Sequence, residues 1–302
     1  MFTVLAEFQI AIYSTEIMGK WKQFIAGCMV SCLLGGCTSL VVSRMIEPTV
    51  DNLQKQTDLE LVCEGAPAYL LMIDSLLADN PENRGLLLTA TQSYSSYTMA
   101  LAACGRMERA VQLSNKAKDY GLILLAECLH LDDGEKGYSL DELHVALASC
   151  PRSEVAALFW GGYGWALWLQ YQSGSPASLT ALAKVEKIME RVLQLDEGYY
   201  HGAAHLFLGS YYGSRSAMLG GNPVESRAHF ERALAIGDHQ FLPAQVAFAE
   251  TYARTVFDRD LFEKLLREVL DFPLASRPDF ALANQVAKKR AGQLLAEVDR
   301  YF

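Results

Sequence analysis

The sequence predicts an all-α protein built of stacked antiparallel helical hairpins. Three observations carry that prediction. Apolar residues recur every three or four positions in segments of roughly one to two dozen residues, the spacing of a helix with one buried face. Strict alternation at period two is rare and β-branched residues are thin, so strands have little to form from. Short runs of Pro, Gly, Asn and Asp separate the periodic segments, as helix ends require.

The punctuation orders the elements. A first segment opens near Thr57 and stops at Asn80-Pro81-Glu82-Asn83; later breaks fall at Gly105, Asp132-Asp133-Gly134 and Cys150-Pro151-Arg152. Ser173-Gly174-Ser175-Pro176 and Asp196-Glu197-Gly198 come next, then Gly220-Gly221-Asn222-Pro223, Gly237-Asp238 and Phe272-Pro273. About twelve helices fit between Thr57 and Tyr301, and short loops make successive helices antiparallel neighbours. Asp258-x-Asp260 and Asp132-Asp133 read as helix caps and first-turn acids.

A degenerate repeat lies beneath this pattern. Leu208-Gly209-Ser210-Tyr211-Tyr212 has the Leu-Gly-x-x-Tyr order of a tetratricopeptide first helix, and Ser226-x-x-x-Phe230-x-x-Ala233 the order of the second. Small residues let the two helices approach, and the aromatic fills the groove between them. Weaker echoes run from Leu87 through Tyr97 to Ala117, and from Trp160-Gly161-Gly162-Tyr163 to Val192. The fold class is thus a tetratricopeptide-like array occupying residues 57–302.

The amino-terminal part is different in kind. Lys20 and Lys22 precede an uncharged run from Gln23 to Ser43, which contains "CMVSCLLGGCTS". A basic start, an apolar stretch and small residues before a cleavage point make the three-part order of a secretory signal. Gly35-Gly36-Cys37 resembles the lipobox of bacterial lipoproteins. The resemblance implies cleavage before Cys37, a diacylglycerol on its sulfur, and residues 37–56 as a lipidated tether. Residues 1–36 would be an extension and signal peptide. Thr38, not Asp, follows the cysteine, which by the same likeness favours the outer membrane. An uncleaved membrane span is the rival reading, weakened by Gly27, Gly35, Gly36, Thr38 and Ser39. The run lacks the polar surroundings of a metal site.

Removal of residues 1–36 leaves 266 residues, ample for a large core. The removed piece carries Glu7, Glu16, Lys20 and Lys22 and is neutral, so the rest keeps the net charge of −9. An acidic body without clustered Lys and Arg excludes nucleic acid as a partner; Lys288-Lys289-Arg290 reads as a solvated helix face. The hydrophobic content of 51% implies a large core, a cavity or an interface, since no second stretch reads as a bilayer span. Cys63, Cys104, Cys128 and Cys150 allow disulfides; buried unpaired thiols are the simplest reading.

The densest aromatic segment is Phe159-Trp160-Gly161-Gly162-Tyr163-Gly164-Trp165-Ala166-Leu167-Trp168. Its glycines imply close approach of a neighbouring backbone. Its rings are either a packed core or the walls of a ligand channel. The channel reading takes Trp160, Tyr163, Trp165 and Trp168, with Tyr211 and Tyr212, as lining residues. His201 and His205 fall one helical turn apart but lack a third metal ligand, so a surface or pocket pair is expected and no metal or cofactor. No nucleophile elbow, phosphate loop or dinucleotide fingerprint appears.

Six stretches in order resemble one family: "LLADNPENRGLLLTATQSYSSYTMAL", "ALFWGGYGWALWLQ", "MERVLQLDEGYYHGAAHLFLGSYYGSR", "GGNPVESRAHFERALAI", "YARTVFDRDLFEKLLREVL" and "NQVAKKRAGQLLAEVDRYF". The chain is similar to the T-component (TatT-like) lipoproteins associated with TRAP-type solute transporters. One departure is Ala217-Met218-Leu219, where a proline is expected before the Gly-Gly turn. The resemblance implies an all-helical fold, a lipid anchor in the periplasm and no enzymatic activity. It further implies a periplasmic TRAP-type solute-binding protein as partner, and a channel or pocket for a small hydrophobic or amphipathic ligand. A homo-oligomer is compatible with it. The rival function is a scaffold lipoprotein for an envelope assembly.

Overall fold

A computed structural model of the protein describes residues 52–131, 139–172, 176–215, 218 and 220–302. These belong to a unit spanning Val50–Phe302. The Cys37 region and Asp132-Asp133 lie outside the described residues.

The described residues are helical, without a strand among them. The helices are α1 (Leu59–Asp79), α2 (Arg84–Ala103), α3 (Met107–Leu129), α4 (Leu140–Ser149), α5 (Val155–Tyr171) and α6 (Pro176–Leu195). They continue with α7 (Ala203–Gly213), α8 (Pro223–Ile236), α9 (Pro243–Ala247), α10 (Arg259–Asp271) and α11 (Ala281–Ala296). A π-helical segment, Phe248–Ala253, extends α9.

Local chemistry sets the helix starts. Asp58, Asn83 and Asp258 each accept the backbone N–H three residues on, at 3.0, 3.0 and 2.9 Å. Ser139 and Glu142 close a capping box at the head of α4. Asn222 caps α8, and Pro223 supplies its first turn. The Gly105 break between α2 and α3 needs φ +78°, which glycine adopts without a Cβ clash.

Most consecutive helices pack on one another, α4 excepted, which packs on α6, and the most extensive contact is between α3 and α5. It depends on glycine. A Cβ on Gly161 would lie 2.9 Å from the Gly121 carbonyl oxygen, and one on Gly164 would lie 2.5 Å from that of Ala117. Gly161 and Gly164 therefore do serve a backbone contact, while Gly162 faces the side chains of Ile188 and Met189. Between α7 and α8, a Cβ on Gly209 would meet the Phe230 ring at 3.0 Å. Ser226, fully buried, donates to the Gly209 carbonyl at 2.7 Å. Phe230 is 0% exposed, as the small-residue and aromatic spacing predicts, and it also stacks on Phe248 at 4.9 Å.

The last helix returns to the first ones: α11 packs against α9 and α10 and also against α1 and α2. Contact between the ends departs from an open array, in which each repeat touches only its neighbours.

Three sequence expectations are corrected. Cys63 and Cys104 are joined in a disulfide, while Cys128 and Cys150 are unpaired and buried. α1 is long and apolar enough to cross a bilayer by length and composition. It is nonetheless a packed helix: Val62, Cys63, Leu70, Ile73 and Leu77 are buried, and its Asp74 accepts from Tyr94 (2.8 Å) on α2 and Tyr120 (2.7 Å) on α3. Lys288 and Arg290 are not simply solvated; they bond the Leu270 carbonyl and Glu250.

Candidate functional site

The aromatic residues of α5 meet those of the turn between α6 and α7. Phe159 stacks on Tyr163 (5.8 Å, 16°) and lies 5.4 and 5.5 Å from Tyr199 and Tyr200. Trp160 packs edge-on against Tyr200 at 4.7 Å and Tyr163 at 5.6 Å. Tyr200 then leads to Phe241 at 5.8 Å, and His201 to Phe280 at 4.1 Å.

An unusual backbone produces this convergence. Tyr200, His201 and Gly202 are consecutive left-handed residues, with φ of 44°, 61° and 75°. Two bulky residues rarely hold that conformation, and such strain persists only where surrounding packing enforces it. Helix α7 therefore begins at Ala203, and His201 lies outside it.

Phe159 and Trp160 are buried, at 1% and 2% exposure. Tyr163 and Tyr200 are half-buried. Burial pushes the Tyr163 phenol up to about 12 and raises that of Tyr200 as well. His201 is shifted down by burial, which with nearby Arg277 favours its neutral form, against the weaker pull of Asp279.

A polar chain runs alongside. Tyr211 and Tyr212 both donate to Glu186 of α6, at 2.7 and 3.0 Å. The Arg215 guanidinium lies 3.4 Å over the Tyr211 ring. Tyr212 stacks on His229 at 5.8 Å, His229 meets His205 Nδ1 to Nδ1 at 2.8 Å, and His205 Nε2 lies 3.1 Å from Glu197. Arg232 grips Glu197 with two bonds, of 2.7 and 2.6 Å, and with His205 holds its carboxyl down to about 2.

The residues expected to line one channel are thus distributed. Trp160 and Tyr163 join the aromatic cluster. Trp165 is buried on α5. Trp168 donates to Asn115 Oδ1 at 2.9 Å and lies under the Lys118 ammonium, 4.7 Å away. Tyr211 and Tyr212 close on Glu186. The histidines expected on one helix face part company: His201 goes to Phe280, His205 to His229. Among the described residues no group of three or more His, Cys, Asp or Glu converges to hold a metal.

Sequence reasoning passed over Tyr200, Phe241, Phe280, Glu186 and His229. The Tyr199-Tyr200 doublet after a Gly break was the available signal; the others are brought in only by tertiary packing. Apart from these residues, a hollow of about 140 Å³ is lined by Arg84, Cys128, His130, Cys150 and Glu154, among others.

The described residues thus form an all-helical unit with an aromatic cluster and a polar flank. The family model described as TRAP transporter T-component matches residues 55–302. The chain belongs to that family, whose place is that of an accessory component in TRAP transport. It is also similar to an uncharacterized protein of Treponema pallidum (strain Nichols), 26% identical over 265 residues, covering 82% of this chain and 81% of the relative.

Proposed function

We propose that the protein is a periplasmic lipoprotein, anchored through Cys37 and favouring the outer membrane, that binds a small hydrophobic or amphipathic ligand for TRAP-type uptake. It passes that ligand to or from a periplasmic solute-binding protein docked on the helical array. One observation carries the ligand reading: half-buried Tyr163 and Tyr200 keep accessible surface beside the buried rings of Phe159 and Trp160. Aromatic walls with a few polar groups are the usual make-up of a small-molecule site. The contact of α11 with α1 and α2 supports an array of tetratricopeptide-like hairpins drawn around an interior. The Cys63–Cys104 disulfide supports an oxidising compartment.

The test is a titration of the full-length chain with an uncharged, polarity-sensitive dye, followed by the solute-binding protein. Enhanced dye emission that the partner alters supports carriage. A silent dye with a bound partner leaves the alternative, a scaffold for an envelope assembly that binds no ligand.

A further inference from the structure

Helix α1 packs by one face and leaves the other uncovered. Val62, Cys63, Ala66, Leu70, Ile73 and Leu77 are buried, while Leu61, Leu71 and Met72 are 57%, 66% and 39% exposed. Leu61, Gly65, Ala68 and Met72 follow at spacings of four, three and four, which sets them in one line along the helix. Between Glu64 and Asp79 every exposed position is uncharged, and Ser75 is the one polar side chain among them. Its hydroxyl donates to the Leu71 carbonyl at 2.9 Å. Asp74, the single charge in that stretch, is turned inward to Tyr94 and Tyr120. Pro67 frees the Cys63 carbonyl, but Tyr97 and Arg106 donate to it at 2.9 and 3.3 Å. The outward face thus carries no side chain that needs water.

We propose that this face of α1 lies on a lipid bilayer, sunk among the headgroups and upper acyl chains beside the chain's own anchor. This rests on the Cys37 anchor of the reading above and says which surface then meets the membrane. Two observations favour lipid over a protein partner. Protein interfaces are enriched in aromatic and Arg side chains and carry roughly one hydrogen bond per 100–200 Å². The exposed positions from Gly65 to Ala78 hold no aromatic residue and no Arg, and their one hydroxyl is already bonded. Acyl chains ask for none of these. The second observation is position. α1 is the first of the numbered helices after Cys37, and Leu61 follows that residue by 24 positions. A chain of that length reaches at most about 85 Å. An anchored protein therefore holds α1 at high effective concentration near the bilayer, where a patch too small to bind alone is retained. Amphipathic helices lie in the boundary with the apolar side about 5–10 Å deep. The inner face of α1 is committed to α2 and α11, so the helix lies on the membrane and does not cross it. Glu64 and Asp79, which bound the face, are acidic, so the contact is apolar and not an attraction to anionic headgroups.

The experiment uses the full-length protein reconstituted in phosphatidylcholine vesicles, with p-benzoylphenylalanine in place of Leu61 or Leu71 and, as control, of Val145. Val145 is 70% exposed on α4, which packs on α6. Under ultraviolet light the benzophenone ketone takes a hydrogen from a nearby C–H bond onto its oxygen, and the two carbons left behind join. Mass spectrometry of the peptides identifies what was captured. Lipid adducts at positions 61 and 71 are expected to be at least about tenfold more abundant than at 145. All three carriers should float with the vesicles. Equal lipid labelling at 71 and 145, or no lipid adduct at 61 and 71, overturns the proposal, while flotation leaves the anchor reading standing. Adducts that join 61 or 71 to a second copy of the chain also overturn it, because they show α1 covered by protein. Protein that does not float removes both.

Discussion

His205 and His229 face each other Nδ1 to Nδ1 at 2.8 Å, so one ring must donate and the other must accept through a lone pair. The doubly protonated pair cannot make that bond. Burial shifts both rings' pKa down from the ordinary histidine value near 6.5. Glu197 opposes this at His205, Glu225 and Glu190 oppose it at His229, and Arg232 and the partner ring reinforce it. A folded pKa below the unfolded one gives stability that is complete above about 6.5 and is lost as pH falls through the folded values. The melting temperature should drop by a few degrees between pH 7.5 and pH 5. His229→Phe, which keeps a ring against Tyr212, should flatten that dependence. A wild-type melting temperature constant over this range would contradict the pairing. Glu197 contributes separately at lower pH, between its ordinary range and about 2.

Phe230 has no exposed surface and is held between Gly209 and Phe248. Phe230→Ala should cost about 3–5 kcal/mol, because the cavity left among rigid helices cannot fully collapse. Urea denaturation gives the value directly.

Two glycine substitutions should have opposite signs. Gly164→Ala puts a methyl 2.5 Å from the Ala117 carbonyl oxygen, a backbone atom that cannot step aside without separating α3 and α5. A loss of about 1–3 kcal/mol is expected. Gly65 lies in α1 with nothing within 4 Å of an added Cβ, so Gly65→Ala should stabilise by about 0.5–1 kcal/mol. Thermal melting of the pair separates the close helix contact from simple helix propensity.

The Cys63–Cys104 bond spans a sequence separation of 41 residues. Loop-closure entropy gives it about 4 kcal/mol at most. Dithiothreitol should lower the melting temperature of the wild type. The Cys63→Ala, Cys104→Ala double variant should melt lower and no longer respond to the reductant.

Cys37→Ser should abolish lipid attachment. Intact mass spectrometry should show acyl chains on the wild type and none on the variant. A wild-type mass that still includes residues 18–36 without acyl chains would contradict the anchor.

The fold was legible where local rules decide. Asp258, Asn222 and Pro223 stand where helix starts need them, and Gly161 and Gly164 do admit another backbone. Phe230 was legible for the same reason: a small residue and an aromatic at fixed spacing state a steric requirement. The site was less so. Periodicity assumes right-handed helix throughout, so it put His201 and His205 on one face and missed the left-handed turn at Tyr200 to Gly202. Glu186 reads as an ordinary exposed helix acid until α7 brings Tyr211 and Tyr212 to it. The Cys63–Cys104 pairing needs the relative placement of α1 and α2, which no spacing along the chain encodes.

The position of that disulfide has a mechanical consequence. Any pull on the chain upstream of Leu59 loads α1 first, and α1 presents Leu61, Leu71 and Met72 outward. Cys63 lies one turn into the helix. The covalent link passes tension there to Cys104, the residue that caps the far end of α2. Peeling of α1 is thereby arrested after a single turn, and the force spreads into the α2–α3 pair instead of unzipping the unit from its edge.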